Sequence, residues 1–261
     1  MQPALRHVLR AGRNAQQRWQ WLRENSKGLD PAQSTQAKQS LDIGSSSGEF
    51  VYLLQTLGFK AKGIEPHEGY AAYARSMLGI DINNGTLQHC LSAENSQSLD
   101  LISMFHVLEH LPEPIPALRS IGEKLKPEGL LYIEVPNATR LCSPHYMFFR
   151  AHTLYFTGPS LRNLLTQSGF KIVSHNPDSS DNLNVVAQYS PSNIAPHPKE
   201  VSHPLVSAQN ARRWMPYLMQ QLRDGQPMRK WRVRKEEKRT AAQYPDGYAL
   251  LKNLYENSDF R

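Results

Sequence analysis

The sequence predicts an α/β fold built on a seven-stranded, mostly parallel sheet, with helices on both faces and an antiparallel strand at one edge. Apolar strand candidates alternate with helix-length segments from residue 41 onward, as in successive βαβ units. The last two strand candidates, 170–175 and 183–189, are separated by a segment too short for a helical crossover. These two strands are therefore predicted to form an antiparallel hairpin.

Each element follows from its local pattern. Strand candidates are short apolar runs, at 41–43, 60–64, 80–87, 99–105, 130–136, 170–175 and 183–189. Helix candidates carry apolar residues at helical spacing or begin with prolines, at 50–57, 71–78, 114–126 and 160–168. Residues 127–129, Pro-Glu-Gly, are predicted to form the turn between helix 114–126 and the next strand.

The chain is organised around a small-residue loop between the first strand and the first helix of this sheet. Residues 41–50 read Leu-Asp-Ile-Gly-Ser-Ser-Ser-Gly-Glu-Phe, and Gly44 and Gly48 permit a sharp turn on which a ligand can lie directly against the backbone. The next strand is followed by Glu65, 21 positions after Gly44, where an acid can hold both hydroxyls of a ribose. The loop and the acid together predict a nucleoside-containing cofactor.

The residues missing from this loop narrow the choice of cofactor. A dinucleotide-binding loop needs glycine where Ser46 stands, and a P-loop needs Lys and then Ser or Thr where Glu49 and Phe50 follow Gly48. An acid directly after the loop repels a pyrophosphate at the helix start. The pattern therefore predicts a ligand with a ribose and no phosphate, which fits S-adenosylmethionine.

The segments Asp42-x-Gly44-x-x-x-Gly48 and Gly63-Ile64-Glu65-Pro66 resemble the first two motifs of class I S-adenosylmethionine-dependent methyltransferases, whose fold is Rossmann-like. The resemblance extends over residues 41–190. It implies that the cofactor is bound by Asp42, Gly44, Ser46, Gly48 and Glu65, with Leu87 packing on the adenine and Phe105 and His106 beside the methionine.

A polar stretch, residues 106–112, follows the fourth strand at the same edge of the sheet. The resemblance implies that Glu109 and His110 face the cleft and position the substrate. Related quinone-biosynthesis O-methyltransferases use acids near here to help bind a divalent metal, but the only second acid close to Glu109 is Glu113, so no metal is predicted. The spacing His-x-x-Glu-His also matches inverted zinc peptidases, which need one long helix; the preceding strand and Pro112 disfavour it.

A second cluster, residues 148–157, resembles the segment that covers the substrate in these relatives. His152 can accept a proton near neutral pH, and Arg150 can hold an anionic group. The predicted catalytic residues are therefore His152, His110 and Glu109, with His106 as an alternative base. An oxygen acceptor benefits from a base, whereas a carbon or nitrogen acceptor needs none, and the sequence does not choose among them.

The 261 residues divide into three predicted parts: an N-terminal helical cap and linker over 1–40, a methyltransferase domain over 41–190, and a Pro-containing linker with a basic helical extension over 191–261. The arginine-lined N-terminal helix is predicted to cover the cofactor cleft rather than to bind a membrane or nucleic acid. Cys90 and Cys142 make no disulfide framework, and the chain has neither a membrane-spanning run of ~20 apolar residues nor an apolar leader. A cytoplasmic location is expected.

Three functions stay open at this point. The favoured one is methyl transfer to a small-molecule, lipid or glycan-type acceptor. The basic segment 229–239 raises the alternative of an RNA methyltransferase that binds phosphates, although Glu236 and Glu237 interrupt it and no Asn-Pro-Pro-Tyr-like motif follows the fourth strand. The serines at 45–47 depart from the commoner glycine-rich loop, which keeps a non-catalytic interaction module as the third.

Overall fold

The computed structural model describes residues 3–29, 36–139, 151–191, 214–223 and 225–256. Its centre is a seven-stranded sheet in the order β3-β2-β1-β4-β5-β7-β6, which confirms the predicted fold class. The strands are β1 (Gln39–Ile43), β2 (Lys60–Glu65), β3 (Asp81–Asn84), β4 (Leu99–Phe105), β5 (Leu125–Pro136), β6 (Phe170–His175) and β7 (Asn182–Tyr189).

The first five strands are parallel, and β7 runs antiparallel to both β5 and β6. The predicted hairpin therefore lies at the sheet edge, with its second strand inserted between β5 and β6. From β1 the strand order runs outward in both directions, to β2 on one side and β4 on the other. The crevice beyond the carboxyl ends of β1 and β4 is the place where such sheets bind ligands.

Helices cover both faces of the sheet and bury two apolar cores. The helices are α1 (Leu5–Asn25), α2 (Glu49–Thr56), α3 (Glu68–Tyr73, continued by a π-helix at Ala74–Leu78), α4 (Leu87–Ser92), α5 (Pro114–Gly122), α6 (Gly158–Gln167), α7 (Trp214–Arg223), α8 (Gln226–Ala241) and α9 (Gly247–Glu256). One core lies between the sheet and α1, α2, α3 and α9, and the other between the sheet and α4, α5 and α6.

The N-terminal segment forms one continuous helix of 21 residues that belongs to the first core. Val8, Trp19 and Leu22 of α1 are buried, and the helix packs against α2 and α9. The hydroxyl of Tyr255 in α9 donates a hydrogen bond to the backbone oxygen of Glu49 in α2, at 3.0 Å. Because large apolar side chains are shared among these helices, α1 forms one packed body with the sheet.

Three predicted boundaries are wrong. Helix α5 ends at Gly122 instead of residue 126, and β5 starts at Leu125 and includes the predicted turn 127–129, because pairing with Leu99 of β4 draws this segment into the ladder. The third strand ends at Asn84 instead of residue 87, because the side chain of Thr86 accepts a hydrogen bond from His89 N–H and caps the unpredicted helix α4.

The C-terminal part is described as the helices α7, α8 and α9. Helix α8, which contains the basic segment, is tied to α1 by an ion pair between Arg10 and Glu237. The predicted linkers at 30–40 and 191–204, the start of the predicted helix 208–222, and Cys142, Phe148, Phe149 and Arg150 lie partly or wholly outside the described residues. Among the residues described, no helix has the length and apolar character needed to cross a membrane.

Candidate active site

The loop after β1 takes the turn that its glycines predict. Gly44 and Gly48 have φ angles of 75° and 86°, in the left-handed region that favours glycine. A Cβ atom on Gly44 would collide with Val107, and one on Gly48 would collide with Ile80. The loop is held over β2 because Gly44 N–H and Ser45 N–H both donate to the backbone oxygen of Ile64, at 2.8 and 3.0 Å.

Glu65 lies against this loop, as the spacing predicted. One carboxylate oxygen accepts a hydrogen bond from Ser46 N–H and the other from His67 N–H, both at 2.8 Å. Each oxygen has a second lone pair, and acceptance of ribose hydroxyls would use it. A partly exposed loop backbone at Gly44 and Ser46, beside a carboxylate at the end of β2, therefore fits a nucleoside without phosphate.

Asp42 is buried within the sheet rather than on its rim. Its Oδ1 accepts a hydrogen bond from Ser103 Oγ, at 2.6 Å, on the neighbouring strand β4. Burial raises the pKa of Asp42 to about 7, although the bond from Ser103 opposes this rise. Asp42 thus joins β1 to β4 beneath the loop. From this position Asp42 would influence a cofactor by fixing the conformation of the loop.

Glu49, the acid after the loop, is also buried. Its carboxylate accepts a hydrogen bond from Ser47 Oγ at 2.8 Å, and burial raises its pKa to about 7. Near neutral pH this group carries only part of a negative charge. The repulsion of a pyrophosphate expected from the sequence is therefore weaker. The evidence against a dinucleotide then depends more on the absence of a glycine at position 46.

His106 stands directly after β4 in an unusual backbone conformation, with φ of 58°. Its Nε2 lies 3.0 Å from Glu134 Oε1 and its Nδ1 lies 3.4 Å from Glu109 Oε1. Burial lowers its pKa, but the two carboxylates outweigh burial and raise the pKa to about 9. A raised pKa favours an imidazolium paired with both carboxylates, and a protonated ring is a poorer base than a neutral one, so the role of His106 as the base stays an alternative prediction.

Arg18 of α1 reaches the same carboxylate. Its guanidinium lies 2.6 Å from Glu134 Oε1 and packs over the ring of Phe105, with Cζ 4.1 Å from the ring centroid. Burial by itself raises the pKa of Glu134, but His106 and Arg18 lower it to about 2. Sequence reasoning missed Arg18 and Glu134, since one is among several arginines of a helix and the other lies inside an apolar strand.

A polar cavity of about 520 Å³ lies between α1 and the carboxyl ends of β4 and β5. Trp21 and Tyr132 stack in its wall with ring centroids 5.3 Å apart, and Tyr132 OH donates to Asn184 Oδ1 at 3.0 Å. Its lining combines side-chain amides, charged groups and aromatic rings: Asn14, Gln17, Arg18, Trp21, His106, Tyr132, Glu134, Asn182 and Asn184.

The two predicted catalytic stretches meet at Glu109. Its carboxylate is buried and, apart from the 3.4 Å pairing with His106, has no hydrogen-bond partner within the part of the chain that the structure describes. Donor atoms of Glu109, His110 and His152 lie within 4.8 Å of one another. Thr153 N–H and Leu154 N–H donate to the backbone oxygen of Glu109, at 2.9 and 3.1 Å, so the segment after residue 150 is fixed to this turn.

His110 is oriented by a backbone group: its Nδ1 lies 2.8 Å from the oxygen of Ala151, which requires a proton on Nδ1 and leaves Nε2 as the acceptor. The rings of His110 and His152 are 4.9 Å apart. The turn itself is a short 3₁₀ helix, Leu108–His110, and not the long helix that a zinc peptidase needs. Two imidazoles, rather than a second acid, accompany Glu109.

The remaining predicted cofactor residues occupy accessible positions. Phe105 is partly exposed at the end of β4, where its ring meets Phe50 edge to face at 4.9 Å between centroids. Leu87 is partly exposed at the start of α4 and packs against the second apolar core. Their contacts with the cofactor stay predictions.

The fold and this rim define a nucleoside-binding α/β protein of the doubly wound class. The family model described as "Methyltransferase domain" matches residues 12–175, more than half of the chain. The chain therefore belongs to the S-adenosylmethionine-dependent methyltransferase family, as the resemblance of its first two motifs predicted. The match includes most of α1, in agreement with its burial in the core.

Curated relatives agree with this assignment. The chain is 30% identical over 111 residues to a ubiquinone biosynthesis O-methyltransferase of Nitrosococcus oceani, covering 41% of this chain and 47% of the relative. A similar enzyme of Actinobacillus pleuropneumoniae is 29% identical over 110 residues, covering 39% of this chain and 47% of the relative. The chain thus spans about half the length of the curated relatives it matches.

A methyltransferase structure from Archaeoglobus fulgidus superposes with a TM-score of 0.54 at 18% identity, covering 67% of this chain and 93% of that one. A structure from Mesorhizobium loti has a TM-score of 0.54 at 17% identity, covering 65% of this chain and 96% of that one. At these identities the likeness shows the fold alone.

Proposed function

We propose that this protein transfers the methyl group of S-adenosylmethionine to a small polar acceptor held in the cavity between α1 and β5. The observation that carries the acceptor class is the cavity wall, in which side-chain amides stand beside the stacked rings of Trp21 and Tyr132. Amides match hydroxyl groups as both donors and acceptors, and aromatic faces cover apolar ring edges. A sugar-like or otherwise hydroxyl-rich acceptor fits this wall better than a lipid tail.

The residues of the loop fit the cofactor by their own geometry. Gly44, Ser46, Phe105 and His106 are partly exposed on one rim, and Glu65 faces the loop with its carboxylate. When bound, S-adenosylmethionine supplies an electrophilic methyl group, so the chain's task is to orient the acceptor and exclude water. Asp42 and Gly48 are buried and contribute by shaping the loop.

His152 is the proposed base for an oxygen acceptor. An imidazole that takes up a proton becomes a cation, and the buried carboxylate of Glu109 stabilises it. Glu109 also faces His106, which lines the cavity. The carboxylate of Glu109 therefore lies between the cavity-lining His106 and the pair His110 and His152. His110 keeps its place through Ala151 and positions the ring of His152.

The same donor set suits a divalent cation, which is the alternative role of this cluster. Glu109, His110 and His152 would hold the ion, and the hydrogen bond from His110 to Ala151 is the kind of outer contact that orients a metal-bound imidazole. Such an ion would lower the pKa of an acceptor hydroxyl. We favour the metal-free role because the sulfonium is already electrophilic, and because a metal-bound imidazole cannot accept a proton.

Calorimetric titration with S-adenosylmethionine tests the proposal. We expect the wild type to bind, Glu65→Ala to lose most of the affinity, and Glu68→Ala, three positions further on and exposed, to bind like the wild type. Folding of each variant is checked by circular dichroism. A folded wild type that binds no cofactor would overturn the proposal and favour a non-catalytic interaction module.

A further inference from the structure

The exposed apolar side chains of this protein are concentrated on two neighbouring helices. Of the ten large apolar side chains most exposed among the described residues, seven belong to α7 and α8: Met215, Leu218, Met219, Leu222, Met228, Trp231 and Val233. Isolated exposed apolar residues are ordinary, but a contiguous group indicates a surface that binds something.

On α7 these side chains form a stripe. Met215, Leu218, Met219 and Leu222 recur at spacings of three and four residues, so they share one face of the helix. Each is exposed over 44–67% of its surface, so the described parts of the chain leave the stripe largely uncovered. A helix in water ordinarily turns such a face toward a core.

Helix α8 places positive charge beside this stripe. Between residues 214 and 241 the sequence has eight Arg and Lys residues and three acids, a net charge of +5 out of +7 for the chain. Two of the three acids, Glu236 and Glu237, are paired with Arg13 and Arg10 of α1. These two acids therefore form ion pairs with α1, and the basic residues of α7 and α8 outnumber the acids that could neutralise them.

Trp231 of α8 combines an exposed aromatic ring with a neighbouring cation. Its ring is more than half exposed, and the ammonium group of Lys235 lies 5.0 Å from the ring centroid. Lys230 donates a hydrogen bond to Gln221 at 2.6 Å, which ties α8 to α7. Exposed Trp, Met and Leu flanked by Lys and Arg are the composition of helices that lie in a lipid headgroup region.

We propose that α7 and α8 form a docking surface for a bilayer that contains anionic lipid. With ten residues, α7 is ~15 Å long, about half the thickness of a hydrocarbon core, so it would lie in the interface and not span it. The charge excess matches anionic headgroups and disfavours a second copy of the same surface. RNA would engage the cations but not a stripe of Met and Leu.

Sedimentation of the full chain with vesicles tests this surface. We expect binding to mixed phosphatidylcholine and phosphatidylglycerol vesicles, weak binding to phosphatidylcholine alone, and a decrease with added salt. The variants Met219→Glu and Lys235→Glu should each lower the partition coefficient about tenfold or more. Val173→Glu, which alters an exposed apolar residue of β6, is the matched control and should bind like the wild type.

Other occupants of the surface give other results, and each would overturn the proposal. If the stripe packs on another part of the chain, Met219→Glu will lower the melting temperature. If it joins two copies, the wild type will be a dimer in light scattering and Met219→Glu a monomer. If it binds RNA, Lys235→Glu will weaken binding to a single-stranded RNA probe and Met219→Glu will not. Calorimetry with S-adenosylmethionine on the same variants distinguishes this proposal from the proposed methyl transfer, because Met219→Glu and Lys235→Glu should bind the cofactor like the wild type.

Discussion

Arg18 of α1 and Glu134 of β5 form an ion pair at 2.6 Å in which both side chains are largely buried. The pair joins the N-terminal helix to the carboxyl end of the sheet, in the wall of the proposed acceptor cavity. Glu134 also pairs with His106, so three charged groups from three elements meet at one carboxylate. This network positions α1 over the rim.

Removing the guanidinium should destabilise the fold. Arg18→Met leaves the buried Glu134 with His106 and a long hydrogen bond from Asn182, at 3.5 Å, and removing one partner of a buried pair costs roughly 3 kcal/mol. Arg13→Met, on the same helix, removes an exposed pair with Glu236 at 3.5 Å and should change stability by less than about 0.5 kcal/mol. Urea unfolding of both variants measures the difference, and equal stabilities would contradict the role given to the network.

The stability of the protein should fall in mildly alkaline solution through His106. Burial lowers the pKa of this ring, but Glu109 and Glu134 raise it to about 9, from an ordinary value of 6.5. Because the folded state holds the proton more tightly than the unfolded state, the contribution is complete below pH 6.5 and is lost as the pH rises through about 9. Its full size is about 3 kcal/mol.

Urea unfolding of the wild type and His106→Gln over a pH series measures this contribution. The wild type should be the more stable protein at pH 6.5, and the gap should close as the pH passes about 9. The comparison with the variant cancels the titration of Asp42 and Glu49, which lies at lower pH. A gap that does not depend on pH would show that the ring is not held as an imidazolium.

Acceptor binding should depend on the cavity-facing side of α1. Gln17 is exposed in the cavity wall, whereas Gln20, three residues on, pairs with Glu24 of the same helix. Gln17→Leu should raise the KM for a hydroxyl-rich acceptor several-fold, since a lost hydrogen bond is worth about 1 kcal/mol, with no change in affinity for S-adenosylmethionine. Gln20→Leu is the control, and an equal effect of both changes would place the acceptor elsewhere.

The base is tested by His152→Gln. We expect kcat to fall about 10²-fold or more with an oxygen acceptor, because general base catalysis contributes rates of that size, while affinity for the cofactor is retained. His175→Gln, which alters an exposed histidine of β6, should leave kcat unchanged. Unchanged kcat in His152→Gln with that acceptor would contradict the role of His152 and indicate another base.

Metal removal separates the two roles proposed for the cluster around Glu109. Dialysis against a chelator should leave kcat unchanged if His152 acts as the base without a bound metal. Activity that is lost on dialysis and restored by Mg²⁺ or Zn²⁺ would assign Glu109, His110 and His152 as ligands instead. Metal analysis of the purified protein gives the same answer without an assay.

The sequence by itself determined the succession of strands and helices along the chain, the turn at Gly44 and Gly48, and the position of the acid Glu65. These features depend on local periodicity, on left-handed φ angles and on a fixed spacing within one βαβ unit, so neighbouring residues suffice to specify them. Tertiary structure alone decided the rest. It buried Asp42 beside Ser103, joined Glu109 to His152 across 43 positions, and brought Arg18, His106 and Glu134 together from three distant segments. The pKa values and roles of these groups depend on their burial and on their charged partners. No local sequence pattern specifies burial or partners of this kind.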